Sequence, residues 1–233
     1  MHYSFRPLSL LLIAAACAGS LVPSVSQAVS FNFTIDTTSL ATQPTPPKPF
    51  ALDFQFIDGD STVSNTVTLS NFDFGAGGGA TGSPTTTGGA SGNLASTVTL
   101  TDTAFFNEFT QGFTPSSTDP LRFLLDLTTN VEPTTPDAFT LAIFDSSGTE
   151  IPTSFFGAFA QIDITNPLTI NTYASDTSTA PPGCPTCPAL DIAAPLVTTA
   201  TSPVPEPGTF VLLAGGIGCL AFLRRKQVRL PTF

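Results

Sequence analysis

Histidine is almost missing from this chain: the only one is His2. A Ser-His-Asp arrangement therefore has no base to draw on. A zinc site needs about four His or Cys ligands, and the chain beyond its first 28 residues holds no His and three Cys. Tryptophan is absent, which removes the side chain best suited to stack on a sugar ring, and the single Met is the initiator. Basic residues are few and oddly placed. Five of the seven are Arg6, Arg224, Arg225, Lys226 and Arg229, near the two ends. Between Val29 and Pro207, seventeen acids face only Lys48 and Arg122, a net charge of −15. Nucleic acids and anionic headgroups are held mainly through Lys and Arg, so this region excludes DNA or RNA binding. Glu and Lys are scarce, as few good helix formers as an all-helical domain could have.

Phe, Thr, Ser and Gly are abundant instead. They favour strands and the turns between them, and the patterning agrees. Phe31, Phe33 and Ile35 share one face, with Asn32 and Thr34 on the other. Phe50, Leu52, Phe54 and Phe56 repeat the alternation, followed by Val67 and Leu69, Val98 and Leu100, and Leu121, Phe123, Leu125 and Leu127. Phe139, Leu141 and Ile143 make another run, and Ile162, Ile164, Leu168 and Ile170 close the set. The phase shift from Leu69 to Phe72 predicts a bulge near Asn71. Eight or nine short strands at this spacing predict an all-β fold, a two-sheet antiparallel β-sandwich of jelly-roll type, with a barrel as the alternative. Residues 75–92 (GAGGGATGSPTTTGGASG) lack periodicity and predict a flexible loop. NTVTLSNFDF and STVTLTDTAF share TVTL, a faint internal repeat.

The first 28 residues have the layout of an export signal. Arg6 precedes the apolar run Leu8 to Ala18, and Ser26-Gln27-Ala28 puts small residues where signal peptidase cuts. Cys17 offers a lipoprotein alternative in a poorer context. Residues 29–173 are then the outer domain. Residues 174–203, rich in Pro, Thr, Ser and Ala, predict an extended spacer. Cys184 and Cys187 lie in that spacer as C-P-T-C. Flanked by prolines and in an oxidising compartment, they predict a local disulfide rather than a redox centre.

Residues 204–233 have three parts: Val204-Pro205-Glu206-Pro207, an uncharged apolar stretch from Thr209 to Leu223, and the basic stop Arg224, Arg225 and Lys226. Fifteen apolar residues are short for a comfortable membrane span, and the basic end belongs on the cytoplasmic side. The stretch predicts a short transmembrane helix, transient rather than permanent.

This tail resembles the PEP-CTERM sorting signal of Gram-negative bacteria. The resemblance implies recognition and processing by exosortase after passage through the Sec machinery and signal peptidase. It also implies transient residence in the inner membrane and final placement at the cell surface or in the extracellular matrix. The phrases FNFTIDTTSLA, LDFQFIDGD, NTVTLSNFDFG and FFNEFTQGF resemble outer domains, of no assigned activity, that such tails carry. The expected function is structural or adhesive, within exopolysaccharide or biofilm, with no enzyme activity and no required cofactor. Two other readings stay open. One is a carbohydrate- or calcium-binding module, with Asp53, Asp58 and Asp60 as the calcium ligands. The other is a carboxylate-based glycoside hydrolase, for which no pair of acids stands out.

Overall fold

A computed structural model describes residues 28–45, 47–131 and 135–200. The signal segment, the apolar stretch and the basic stop lie outside the described residues. Among the described residues, no helix is long and apolar enough to cross a membrane. In chain order the elements are β1 (Ala28–Ile35), α1 (Thr38–Ala41), β2 (Phe50–Ile57), β3 (Thr66–Asp73), β4 (Gly79–Thr87) and β5 (Gly89–Gly92). There follow β6 (Thr97–Thr101), β7 (Phe106–Thr114), β8 (Leu121–Thr128), β9 (Ala138–Phe144), β10 (Ala158–Asp163), β11 (Thr169–Thr172) and β12 (Leu196–Thr199).

Two antiparallel six-stranded sheets form a β-sandwich, in the orders β12-β1-β8-β3-β6-β5 and β11-β10-β9-β2-β7-β4. The pairs β1–β8, β2–β7 and β3–β6 nest inside one another along the chain, with β1-β8-β3-β6 opposite β2-β7-β4. That nesting is the jelly-roll winding. Strands β9 to β11 and β12 extend the two sheets beyond it. The two TVTL segments pair with each other, Val67 opposite Leu100 and Leu69 opposite Val98.

Alternation places one face of each strand in a shared core, and phenylalanine fills its centre. Phe54 is fully buried and its ring meets Phe123 at 5.8 Å and Phe72, Phe109 and Phe139 at 6.2 Å each. Phe33 stacks on Phe123 at 5.0 Å. The register of β3 against β8 shifts between Ser70 and Asp73, and Asn71 there has φ of 55°. This is the bulge that swings Phe72 from the expected phase back toward the core.

Two segments depart from expectation. The Gly-rich segment from 75 to 92 holds two strands, β4 and β5, rather than a loop. Its backbone is held by buried amides of β7: Gln111 donates to Gly82 O at 3.0 Å and accepts from Leu94 N at 2.9 Å, while Asn107 accepts from Gly89 N at 2.7 Å. Gly88, at φ of 62°, is the one residue between β4 in one sheet and β5 in the other; a Cβ there would sit 2.5 Å from Asn107 Oδ1.

The second departure is the expected spacer. Residues 174–200 belong to the domain. Leu190 and Ile192 are buried in the core, and the Ser175 hydroxyl donates to Leu190 O at 2.7 Å and accepts from Ile192 N at 2.8 Å. β12 then pairs with β1, Phe31 opposite Thr199 and Phe33 opposite Val197. Leu190 and Ile192 anchor this Pro- and Thr-rich stretch on the sandwich, and their burial offsets part of the entropy of ordering the chain.

Candidate functional site

The acids expected as calcium ligands do not come together. Asp53 sits in mid-β2 on the outer face of its sheet, covered from solvent. Thr110 Oγ1 donates to one of its oxygens at 2.8 Å and Gln55 Nε2 to the other at 2.7 Å. Asp58 and Asp60 instead shape the turn after β2. Asp58 Oδ1 accepts from Asp60 N at 3.1 Å and Ser61 N at 2.6 Å, and Asp60 Oδ1 accepts from Thr62 N at 2.8 Å. These bonds hold Ser61 at φ of 69°. Among the described residues, no group of three His, Cys, Asp or Glu is arranged to hold a metal ion.

Burial pushes the Asp53 carboxyl up to about 6, against the two hydrogen bonds that favour its charge and with small added repulsion from Glu108 and Glu150. The folded value lies above the ordinary 3.8, so the fold disfavours the ionised form. The Asp53 contribution to stability is therefore fullest below about pH 4, where the carboxyl is neutral folded or unfolded, and it declines as pH rises toward about 6. Asp53→Asn keeps an acceptor for Thr110, and its amide can meet Gln55 turned over. The substitution is expected to raise stability by about 2 kcal/mol near neutral pH and to do nothing near pH 3. Denaturant melts at the two pH values check this, and equal effects at both would refute it.

What the fold does bring together is a set of loops at one end of the sandwich. Asn65, buried at the end of the β2–β3 loop, donates from Nδ2 to Asp137 Oδ2 at 2.9 Å and to Asn130 O at 2.8 Å, and accepts at Oδ1 from Asn130 N at 2.8 Å. Asp102, from the β6–β7 loop, accepts at Oδ2 from Ser64 N at 2.8 Å and Asn65 N at 2.6 Å. Asp137 also accepts from Gly59 N at 2.8 Å. Burial raises the Asp137 carboxyl above its usual range, opposed by the Gly59 and Asn65 bonds and helped by Asp102 and Asp58 nearby. Asp102 is fully buried and its Oδ1 has no hydrogen-bond partner. Nothing in the sequence marks Asn65, Asp102 and Asp137 as a group, since they are separated by 37 and 72 residues from one another through Asn65.

The opposite end carries two shallow grooves. One, about 450 Å³, lies between Lys48, Pro49, Phe50, Thr81 and Phe113; the other, about 380 Å³, lies over Ala51, Thr110, Gly112 and Phe144. Lys48 Nζ donates to Ala41 O at 2.5 Å, so its ammonium is already engaged. Cys184 and Cys187 are joined by a disulfide, with Cα atoms 5.3 Å apart, in the segment that Leu190 and Ile192 anchor. Gly183 N donates to Asp145 Oδ2 at 2.5 Å and fixes that corner to the β9–β10 turn.

The sorting residues Val204, Pro205, Glu206, Pro207, Arg224, Arg225 and Lys226 lie outside the described residues. Here comparison with known families decides. Residues 203–226 match the family model of the PEP-CTERM protein-sorting motif. The chain carries a PEP-CTERM sorting motif. The match runs from Pro203 through Glu206 and the apolar stretch to Lys226. A PEP-CTERM motif implies an exported protein processed by exosortase, with a cell-surface or extracellular location. Comparison with curated proteins and with solved structures returned no match.

Proposed function

We propose that this protein is a non-catalytic structural or adhesive component displayed outside the cell, within an exopolysaccharide matrix. In this reading the signal segment sends the chain through the Sec machinery and signal peptidase removes it. The PEP-CTERM tail halts briefly in the inner membrane, and exosortase processes it near Pro205-Glu206-Pro207. The observation that carries the reading is the family match at residues 203–226, close behind a folded domain whose last strand ends at Thr199. A sandwich with a phenylalanine core and a strongly acidic exterior suits a passive displayed role, since net charge keeps it soluble and spaced from its neighbours.

Intact mass of the protein from its native host, fraction by fraction, tests this. The expected product outside the cell lacks residues up to Ala28 and everything beyond the motif, and it is retained with the exopolysaccharide. Glu206→Ala is expected to leave a precursor with its tail in the inner membrane. A wild-type chain that keeps Phe233 in the membrane fraction would overturn the sorting reading, and a processed chain that does not partition with polysaccharide would overturn the matrix role.

A further inference from the structure

The registers place both ends of the domain at one end of the sandwich. Ala28 lies opposite Thr128, Phe31 opposite Thr199, and Ala200 N donates to Ser30 O at 2.7 Å. At that same end lie the loops after β2, β6 and β8, because Ile57 faces Phe106 and Ala138, and Thr66 faces Thr101. Each of these three loops exposes one large apolar side chain: Val63 at 66%, Phe105 at 70% and Val131 at 48%.

Single exposed apolar residues are ordinary on protein surfaces. These three differ because their loops are tied together beneath them. Asp58 N donates to Phe105 O at 3.1 Å, Asp102 takes Ser64 N and Asn65 N, and Asn130 Nδ2 donates to Ser64 O at 2.6 Å. A rigid buried network thus holds three apolar tips outward, at the end where the chain leaves for its sorting tail. Thr209, where the apolar stretch begins, follows Ala200 by nine residues, at most roughly 30 Å of extended chain.

We propose that this end of the sandwich seats on the lipid surface while the sorting tail is in the membrane, with Val63, Phe105 and Val131 entering the boundary between headgroups and acyl chains. The surface it suits is zwitterionic. Among the described residues Asp60 is the acid of these loops that reaches solvent, since Asp58, Asp102 and Asp137 are buried, and Lys48 and Arg122, the only bases between Val29 and Pro207, lie at the other end, before β2 and opposite Thr34. An anionic headgroup would find no basic partner here. The proposal rests on the sorting reading only for the presence of the tail in a bilayer. Its role would be to hold the domain upright, with the two grooves facing away from the membrane.

The absence of Trp supplies a clean probe. The chain from Val29 to Phe233 is reconstituted through its tail into zwitterionic bilayers with brominated acyl chains, carrying either Phe105→Trp or Phe156→Trp. Phe156 is 90% exposed in the β9–β10 loop, at the opposite end of the domain, and serves as the distal control. Penetration of about 5–10 Å should quench Trp emission at 105 on the order of twofold or more, with emission at 156 unchanged. Adding Val63→Ser and Val131→Ser to Phe105→Trp should remove most of that quenching while the far-ultraviolet strand spectrum stays the same. Equal quenching at 105 and 156 would overturn the proposal. So would a position-105 spectrum that shifts with protein concentration and not with lipid bromination, which would assign the patch to a second copy of the chain. Exosortase processing in the host is read separately by mass, so seating can fail while sorting stands.

Discussion

Phe54→Ala is expected to lower the unfolding free energy by about 4 kcal/mol, the largest single effect in the domain. Phe54 comes from the middle of β2, in the middle of its sheet, and is fully buried. Its ring touches four others, Phe72, Phe109, Phe123 and Phe139, which come from both sheets. Truncation removes the transfer energy of the ring and leaves a cavity. The strands that line it are pinned by backbone ladders on both sides and cannot collapse to fill it. Edge-to-face and stacked ring pairs add to the loss. Urea melts at fixed pH measure it. A loss under about 1.5 kcal/mol would mean that the core is looser than these ring distances imply.

Asn65→Ala is expected to destabilise by about 3 kcal/mol, although it deletes only a small polar group. The Asn65 side chain answers Asp137 Oδ2, Asn130 O and Asn130 N at once. Its removal leaves a buried carboxylate and two backbone groups short of partners. The effect should also depend on pH, with a sign that follows from Asp137. Burial already raises that carboxyl, and the Asn65 bond is one of the two that oppose the rise. Without it the folded-state value climbs further. The variant then loses more stability as pH rises through the carboxylate range and recovers part of it below about pH 4, where Asp137 is neutral in both states. Chemical melts of wild type and variant near pH 3 and near pH 7.5 separate the cases. A difference that does not change with pH would assign the loss to the Asn130 contacts alone. Because these bonds also tie the β2–β3 loop to the β8–β9 loop, amide exchange at Ser64 and Asn130 should speed up in the variant.

The alternating strands were legible in the residues because their inward positions are all apolar: Phe50, Leu52, Phe54 and Phe56 in β2, and Leu121, Phe123, Leu125 and Leu127 in β8. β7 was not, and the reason is specific. Its inward positions are Asn107, Phe109, Gln111 and Phe113, so every second one is an amide and the apolar period reads as four. Those two amides help hold the backbone of the Gly-rich strands, which ladder onto β7 and β6 and show no apolar alternation of their own. Each anomaly is the complement of the other, and neither makes sense without the pairing. The spacer misled in a different way. Its average composition is that of an unstructured linker, but Leu190 and Ile192 are buried in the core.

The chain's destination was determined by the sequence alone. A sorting motif is a short linear segment, read by machinery that meets it outside the folded domain. Residue order therefore carries all the information, and the motif at 203–226 is recognisable without a fold. Strand identity and the sandwich class also follow from order, because a strand's two faces alternate with a fixed period. Only the tertiary structure decided which buried acids meet. Asp53 parts from Asp58, and Asn65, Asp102 and Asp137 converge, because the jelly-roll winding returns three distant loops to one end. It also decided that both ends of the domain lie at the same end of the sandwich as the three apolar tips. Such proximity is a property of strand order across a sheet, and no local pattern of residues encodes it.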